Sequence, residues 1–225
     1  MSLAEKTSDL ISQLQRVASA QSPAVFACSF GAEDMVLVDT IAKHVPRIEV
    51  FTLDTGRLPE ETQTLLDVVR NTYSISIRTY FPDAATVGEW VEQNCPNGFY
   101  KSIAQRQQCC HIRKVRPLQR ALAGKKSWVT GLRREQSQAR QNLKVEEWDD
   151  ANGLIKINPL LEWTSGEVWS YIRTHGVAYN ALHDRGYPSI GCAPCTRAVQ
   201  PGEDGRAGRW WWETSAKECG LHRSL

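Results

Sequence analysis

Ala24-Val25-Phe26-Ala27-Cys28-Ser29-Phe30-Gly31-Ala32-Glu33-Asp34 is the stretch on which the fold turns. Its first half is a short apolar run bounded by Pro23 and Gly31, which reads as a buried strand over 24–29. Its second half opens a helix, apolar at Met35, Val36, Val38 and Ile41, that ends before Pro46. A strand passing straight into a helix is half of a βαβ unit, and the pattern recurs along the chain. Residues 48–53 form a second strand and 59–70 a helix. Residues 74–80 alternate as a third strand before a helix over 86–93. A long helix is expected over 103–122, strands over 126–130 and 153–157, and a helix over 165–174 capped by Thr164. Ahead of all these, Leu3, Leu10, Ile11, Leu14 and Val17 mark an amphipathic helix suited to covering a sheet or the face of a homo-oligomer. The expected architecture is α/β, a parallel sheet of about five strands flanked by helices.

Composition narrows the function. The 225 residues are 41% hydrophobic and 23% charged, with net charge +2, which fits a globular protein and gives no general bias toward nucleic acid. Basic residues are instead bunched at 113–120, at 133–140 and toward residue 225, a distribution suited to a small anion. No apolar run reaches membrane-spanning length and no secretory pattern opens the chain, so a cytoplasmic protein is expected. Seven cysteines then point to a reducing compartment rather than a disulfide framework.

In an open α/β sheet, ligands bind beyond the carboxyl ends of the strands. Two such ends carry polar loops. In the first, Ser29 and Gly31 precede a helix whose free N–H groups attract an anion. In the second, Asp54-Thr55-Gly56 lets a nucleoside approach the backbone. The cysteines supply a different chemistry. Cys109 and Cys110 are adjacent and look outward for partners, and Cys192-Ala193-Pro194-Cys195 is a C-x-x-C pair on a tight loop. Two thiolate pairs brought together suit an iron–sulfur cluster or zinc. Arg113 and Lys114, four residues on from Cys109 and Cys110, would lie on the sulfur-bearing helix face. Such cations favour an anionic cluster, although a four-thiolate zinc is anionic too.

Six motifs together carry a resemblance. Ser29-Phe30-Gly31-Ala32-Glu33-Asp34, Leu53-Asp54-Thr55-Gly56-Arg57-Leu58-Pro59-Glu60, Cys109-Cys110-His111-Ile112-Arg113-Lys114, Thr130-Gly131-Leu132-Arg133-Arg134-Glu135-Gln136-Ser137, Cys192-Ala193-Pro194-Cys195 and Lys217-Glu218-Cys219-Gly220-Leu221-His222 resemble, in order, those of the assimilatory adenylyl-sulfate reductases. The resemblance runs from about residue 22 onward. It implies a PP-loop-like nucleotide fold, a [4Fe-4S] cluster on Cys109, Cys110, Cys192 and Cys195, and reduction of a sulfonucleotide to sulfite. It also implies that Lys114 lies between cluster and substrate. Ser29, Gly31, Asp54, Thr55, Gly56, Gly131 and Arg133 would contact the nucleotide, and Arg206 and Arg209 would grip the phosphosulfate. ATP-cleaving PP-loop proteins carry a more glycine-rich loop; Phe30 is expected to take up the room that the β,γ-phosphates of ATP would need.

Cys219 is the odd thiol. Lys217, His222 and Arg223 favour its thiolate, and His222 would assist it. With the resemblance, Cys219 becomes the nucleophile: it attacks the sulfate sulfur, AMP leaves, and a thioredoxin-like dithiol releases sulfite from the cysteine S-sulfonate. From about residue 198 the chain turns rich in Gly and charge before Trp210-Trp211-Trp212. Residues 1–197 are therefore read as the nucleotide-binding domain with the iron–sulfur site, and 198–225 as a flexible arm. Trp210–Trp212 would anchor that arm by packing, Cys95 is structural, Cys28 is a strand residue, and His175 and His183 are polar helix-end or loop residues. The sequence leaves open a 3′-phosphorylated substrate, or both substrates. A PP-loop tRNA-thiolation enzyme and a nucleotide-binding redox sensor holding zinc or an iron–sulfur cluster are the rival readings.

Overall fold

The computed structural model describes residues 1–214. Six strands form one sheet in the order β3-β2-β1-β4-β6-β5. They are β1 (Ala24–Ala27), β2 (Glu49–Leu53), β3 (Ile77–Tyr80), β4 (Ser127–Val129), β5 (Glu146–Asp149) and β6 (Leu154–Ile157). Five run parallel, and β5 joins β6 antiparallel at one edge. The expected parallel α/β sheet is present. The added edge strand escaped the sequence reading because Glu146-Glu147-Trp148-Asp149 lacks an apolar run, and it needs none with Trp148 59% exposed.

Strand alternation divides the core between the two faces of the sheet. On one face Phe26, Val50 and Val129, side by side in register, pack with α1 (Leu3–Ala20), α2 (Ala32–His44), α3 (Glu60–Thr72) and α7 (Ser165–His175). On the other, Val25, Phe51 and Trp128 meet Leu118, Ala121 and Leu122 of α6 (Arg116–Leu122). The chain winds from β1 through β2 to β3, then crosses to β4 on the other side of β1. The ends of β1 and β4 thus frame a topological switch point, where a crevice is expected.

A third cluster lies apart from these two. Trp90 of α4 (Ala84–Asn94), Phe99, Ile112, Cys192, Cys195 and Trp210 pack together, with Cys109 against them. The helix expected over 103–122 is continuous but not uniform: α5 (Ile103–Cys110) passes through one π turn, His111–Val115, into α6. Pro117 supplies no N–H for the carbonyl of Arg113, which loosens the ladder there.

Residues 198–214, expected as the start of a flexible arm, are seated on the body instead. Arg197 N–H donates to the Gly208 carbonyl at 3.0 Å, Val199 N–H to that of Gly186 at 2.9 Å, and Trp210 N–H to that of Cys195 at 3.1 Å. Arg106, buried on α5, makes a two-pronged ion pair with Glu213 at 2.9 and 2.7 Å and stacks on Trp210. The Gly-rich composition permits the tight turns of this segment, and the tryptophans hold it down.

Candidate functional site

The switch point opens into a cavity of about 950 Å³, walled by the β1 end, the first turn of α2, β2, the loop after β4, and residues 183–206. Gly31 is the N-cap of α2, extended at φ −70°, so the first N–H groups of that helix face the crevice without a side-chain cap. Asp34 accepts from Ser29 N–H at 2.5 Å and from Ser29 Oγ at 2.7 Å, which pins the loop in shape. Burial, opposed by those two hydrogen bonds, pushes the Asp34 carboxyl up to about 7. Phe30 departs from expectation. It adopts φ +61°, and its ring is only 1% exposed in the main core rather than in the loop, so it occupies no ligand space.

Across the crevice, Gly131 lies against the same turn. A Cβ there would stand 2.2 Å from Asp34 Oδ1, so only glycine allows the β4 loop to close on α2. Arg133, two residues on, is buried. Its guanidinium pairs with Glu33 Oε1 at 2.8 Å and Glu135 Oε2 at 3.0 Å. Thr55 lines the cavity; Asp54 and Gly56, expected beside it, do not, and Asp54 instead accepts from Gly56 N–H at 2.8 Å.

At the opposite end the cavity is cationic. Arg206 and Arg209 both donate to Ser189 Oγ, at 3.4 and 3.2 Å, so two guanidinium groups converge on one point of the wall. Arg209 also donates to the Ile190 carbonyl at 3.1 Å and stacks on Trp210, while its Nε is buried without a hydrogen-bond partner. Gly191 makes room for it: a Cβ there would stand 2.3 Å from its Nη2. Lys114 lines the cavity, and its charge also favours the Cys195 thiolate; it stands between cavity and sulfurs.

The four paired thiols are brought together behind that lysine. Burial pushes the Cys195 thiol up to about 12, with Cys192, Cys110 and Cys109 adding to the rise and Lys114 opposing it. Burial likewise raises Cys109, opposed by Arg113, which hydrogen-bonds it, and by Arg57. Cys192 Sγ lies 3.3 Å from Thr55 Oγ1, and Arg113 donates to the Thr55 carbonyl at 2.7 Å. No three or more His, Cys, Asp or Glu side chains among the described residues close on a single ion. Four sulfurs, two buried and two half-buried, that disfavour one another as anions and are faced by cations form a donor set that fits a polynuclear cationic core.

Cys219 and His222 lie outside the described residues. Cys28 lines the cavity with its thiol raised by burial and Asp34, while Cys95 is exposed and ends α4 at φ +65°. His175 stacks on Tyr171. Trp210 is buried, Trp212 half-buried, and Trp211 38% exposed. The sequence reading passed over Glu33 and Asp34 as individuals and set His183 aside. Yet His183 lines the cavity, its Nε2 buried without a hydrogen-bond partner and its pKa lowered by burial. The available signal was position: acidic residues in the first turn of a helix that opens on a strand end.

Three comparisons bear on this arrangement. Residues 23–198 match the family model of the phosphoadenosine phosphosulfate reductase domain. An adenosine 5′-phosphosulfate reductase of Allochromatium vinosum is 55% identical over 214 residues, 95% of this chain and 84% of the relative. Among solved structures, a phosphoadenylyl-sulfate reductase from Candida auris, in a phosphate complex, superposes with TM-score 0.70 at 28% identity, covering 88% of this chain and 98% of that one. An FMN adenylyltransferase of Candida glabrata shares the fold alone, at TM-score 0.60 and 15% identity over 90% of this chain and 69% of its own.

Proposed function

Given that the chain belongs to the phosphoadenosine phosphosulfate reductase family, and so is an oxidoreductase acting on a sulfur group, we propose that it reduces adenosine 5′-phosphosulfate to sulfite and AMP. The observation that carries this reading is the cavity itself, with a helix N-terminus at one end and converging arginines beside a buried thiol set at the other.

The nucleotide lies along the crevice. Its adenosine faces the loop at Ser29 and Gly31, the Thr55–Gly56 turn and Gly131. Its phosphosulfate sits between Lys114, Arg206 and Arg209, whose charges orient the anion and stabilise negative charge on the departing phosphate. Cys109, Cys110, Cys192 and Cys195 would hold the [4Fe-4S] cluster, which supplies a fixed charge beside the sulfate end. The thiolate of Cys219, assisted by His222, attacks the sulfate sulfur; the S–O bond to the phosphate breaks and AMP carries away the electron pair. A thioredoxin-like dithiol then attacks Cys219 Sγ, sulfite leaves, and the second thiol resolves the mixed disulfide, so the dithiol provides both electrons. The six cysteines among the described residues are all unbridged, in keeping with the cytoplasm.

The test is sulfite release from anaerobically purified protein with thioredoxin supplied. The wild type turns over adenosine 5′-phosphosulfate, and Cys219→Ser binds the nucleotide without turnover. A serine variant that still produces sulfite would discard the scheme. Iron content and visible absorbance of the same sample separate the cluster from zinc.

A further inference from the structure

Glu33 sits on the wall of the crevice with one oxygen committed and one uncommitted. Oε1 holds the Arg133 guanidinium, while Oε2 lies over the strand-end loop, 3.7 Å from where a Cβ on Gly31 would be, and has no hydrogen-bond partner among the described residues. Arg133 is heavily engaged: Nε and Nη2 meet Glu33 Oε1, and Nη1 meets Glu135 and the Trp163 carbonyl, which takes four of its five N–H groups. Glu135 in turn takes the Ser165 N–H at the start of α7. Two donors that could receive a phosphate here, the Arg133 guanidinium and the Ser165 N–H at the start of α7, are therefore engaged by the chain's own carboxylates. His183 borders the same place, close enough for its ring to feel the Glu33 charge, with its Nε2 buried and unpartnered.

We propose that Glu33, held in place by Arg133 and flanked by His183, reads the ribose of the nucleotide, accepting a hydrogen bond from its 3′-hydroxyl and thereby rejecting a 3′-phosphate. The chemistry is general. A carboxylate accepts from a ribose hydroxyl and repels a phosphate at the same oxygen, whereas an arginine with free donors welcomes the phosphate. Here four of the five donors of Arg133 are already taken. His183 Nε2 completes the recess as a neutral polar group, so a ribose meets a hydrogen-bonding wall and a second phosphate meets two carboxylates, Glu33 and Glu135, that share one arginine.

The inference rests on the crevice being the nucleotide site and deepens that reading by naming what selects the nucleotide. The test uses binding alone, so it is independent of turnover. Affinities of the intact protein are measured for AMP, 3′-deoxy-AMP and adenosine 3′,5′-bisphosphate. Relative to AMP, the 3′-deoxy compound binds at least about 10-fold more weakly, the value expected for a lost hydrogen bond to a charged acceptor. The bisphosphate binds more weakly still. Equal binding of AMP and its 3′-deoxy analogue overturns the proposal. So does tight binding of the bisphosphate, which would mean that Arg140 or Arg173, also on the cavity wall, takes the extra phosphate. In Glu33→Gln the AMP-to-bisphosphate ratio falls at least 10-fold. An unchanged ratio in a variant that retains its wild-type melting temperature overturns the proposal, and an unfolded variant leaves the three-ligand comparison on the wild type decisive. Failure of AMP to bind at all would instead sink the nucleotide reading of the crevice.

Discussion

Asp34 shows how tightly the nucleotide end is built. Its carboxyl is raised from 3.8 to about 7, so between those values the native chain holds a proton that the unfolded chain releases. Stability from this group is present at low pH and is lost as pH rises through about 7. The melting temperature of the wild type is expected to fall between pH 5 and pH 8 more steeply than that of Asp34→Asn, which keeps an acceptor for Ser29 but carries no titrating charge. Thermal melts at matched ionic strength check this. Gly131→Ala drives a methyl into Asp34 and is expected to cost about 1–3 kcal/mol in urea unfolding, the usual penalty of overpacking, and to weaken AMP binding. At this scale the sequence nominates candidate residues, several of which line the cavity, but not what they do to one another. The sequence marks Arg133 as a candidate residue of the crevice, which it lines; its capture by Glu33 and Glu135 was not legible, because the three meet only through folding.

The helix that bears Cys109 and Cys110 illustrates the same limit one level up. Helical spacing placed Arg113 and Lys114 beside the sulfurs, and both do act on them. The π turn at His111–Val115 was not foreseen, since periodicity over 103–122 fits a uniform helix and only Pro117 hints otherwise. Arg113 there fastens the cysteine helix to the Thr55 loop. Arg113→Ala is expected to cost about 1.5–3 kcal/mol, as for a buried charged hydrogen bond, and to speed loss in air of the cluster proposed above. Urea unfolding and the decay of visible absorbance read the two effects. The inner parallel strands β1, β2 and β4 were legible because both their faces are largely buried, which writes an apolar run directly into the chain, whereas β3 at the other edge showed itself by alternation. Edge strand β5 is exposed, and exposure erases that signature.

For the whole molecule, the six-stranded sheet acts as a platform whose carboxyl edge carries the nucleotide end, while the sulfur end is assembled from α5, the Gly191–Thr196 loop and the seated segment 198–214. Its boundaries were the least legible part, because Gly, Asp and Glu in 201–208 describe a flexible chain equally well. The buried pair Arg106–Glu213 joins that segment to α5. Removing one partner strands a buried charge, so Arg106→Ala is expected to cost about 3–5 kcal/mol in chemical unfolding, with Glu213→Gln costing less. The position of this pair has a further consequence. Six peptide units lead from Glu213 to Cys219, and extended chain covers at most about 3.5 Å per residue, so the thiol is leashed within roughly 20 Å of a fixed post. Whatever path residues 214–219 take, the proposed nucleophile is confined to a small sphere about that post. One thiol in such a sphere amounts to a local concentration on the order of tens of millimolar, whatever the concentration of enzyme in the cell.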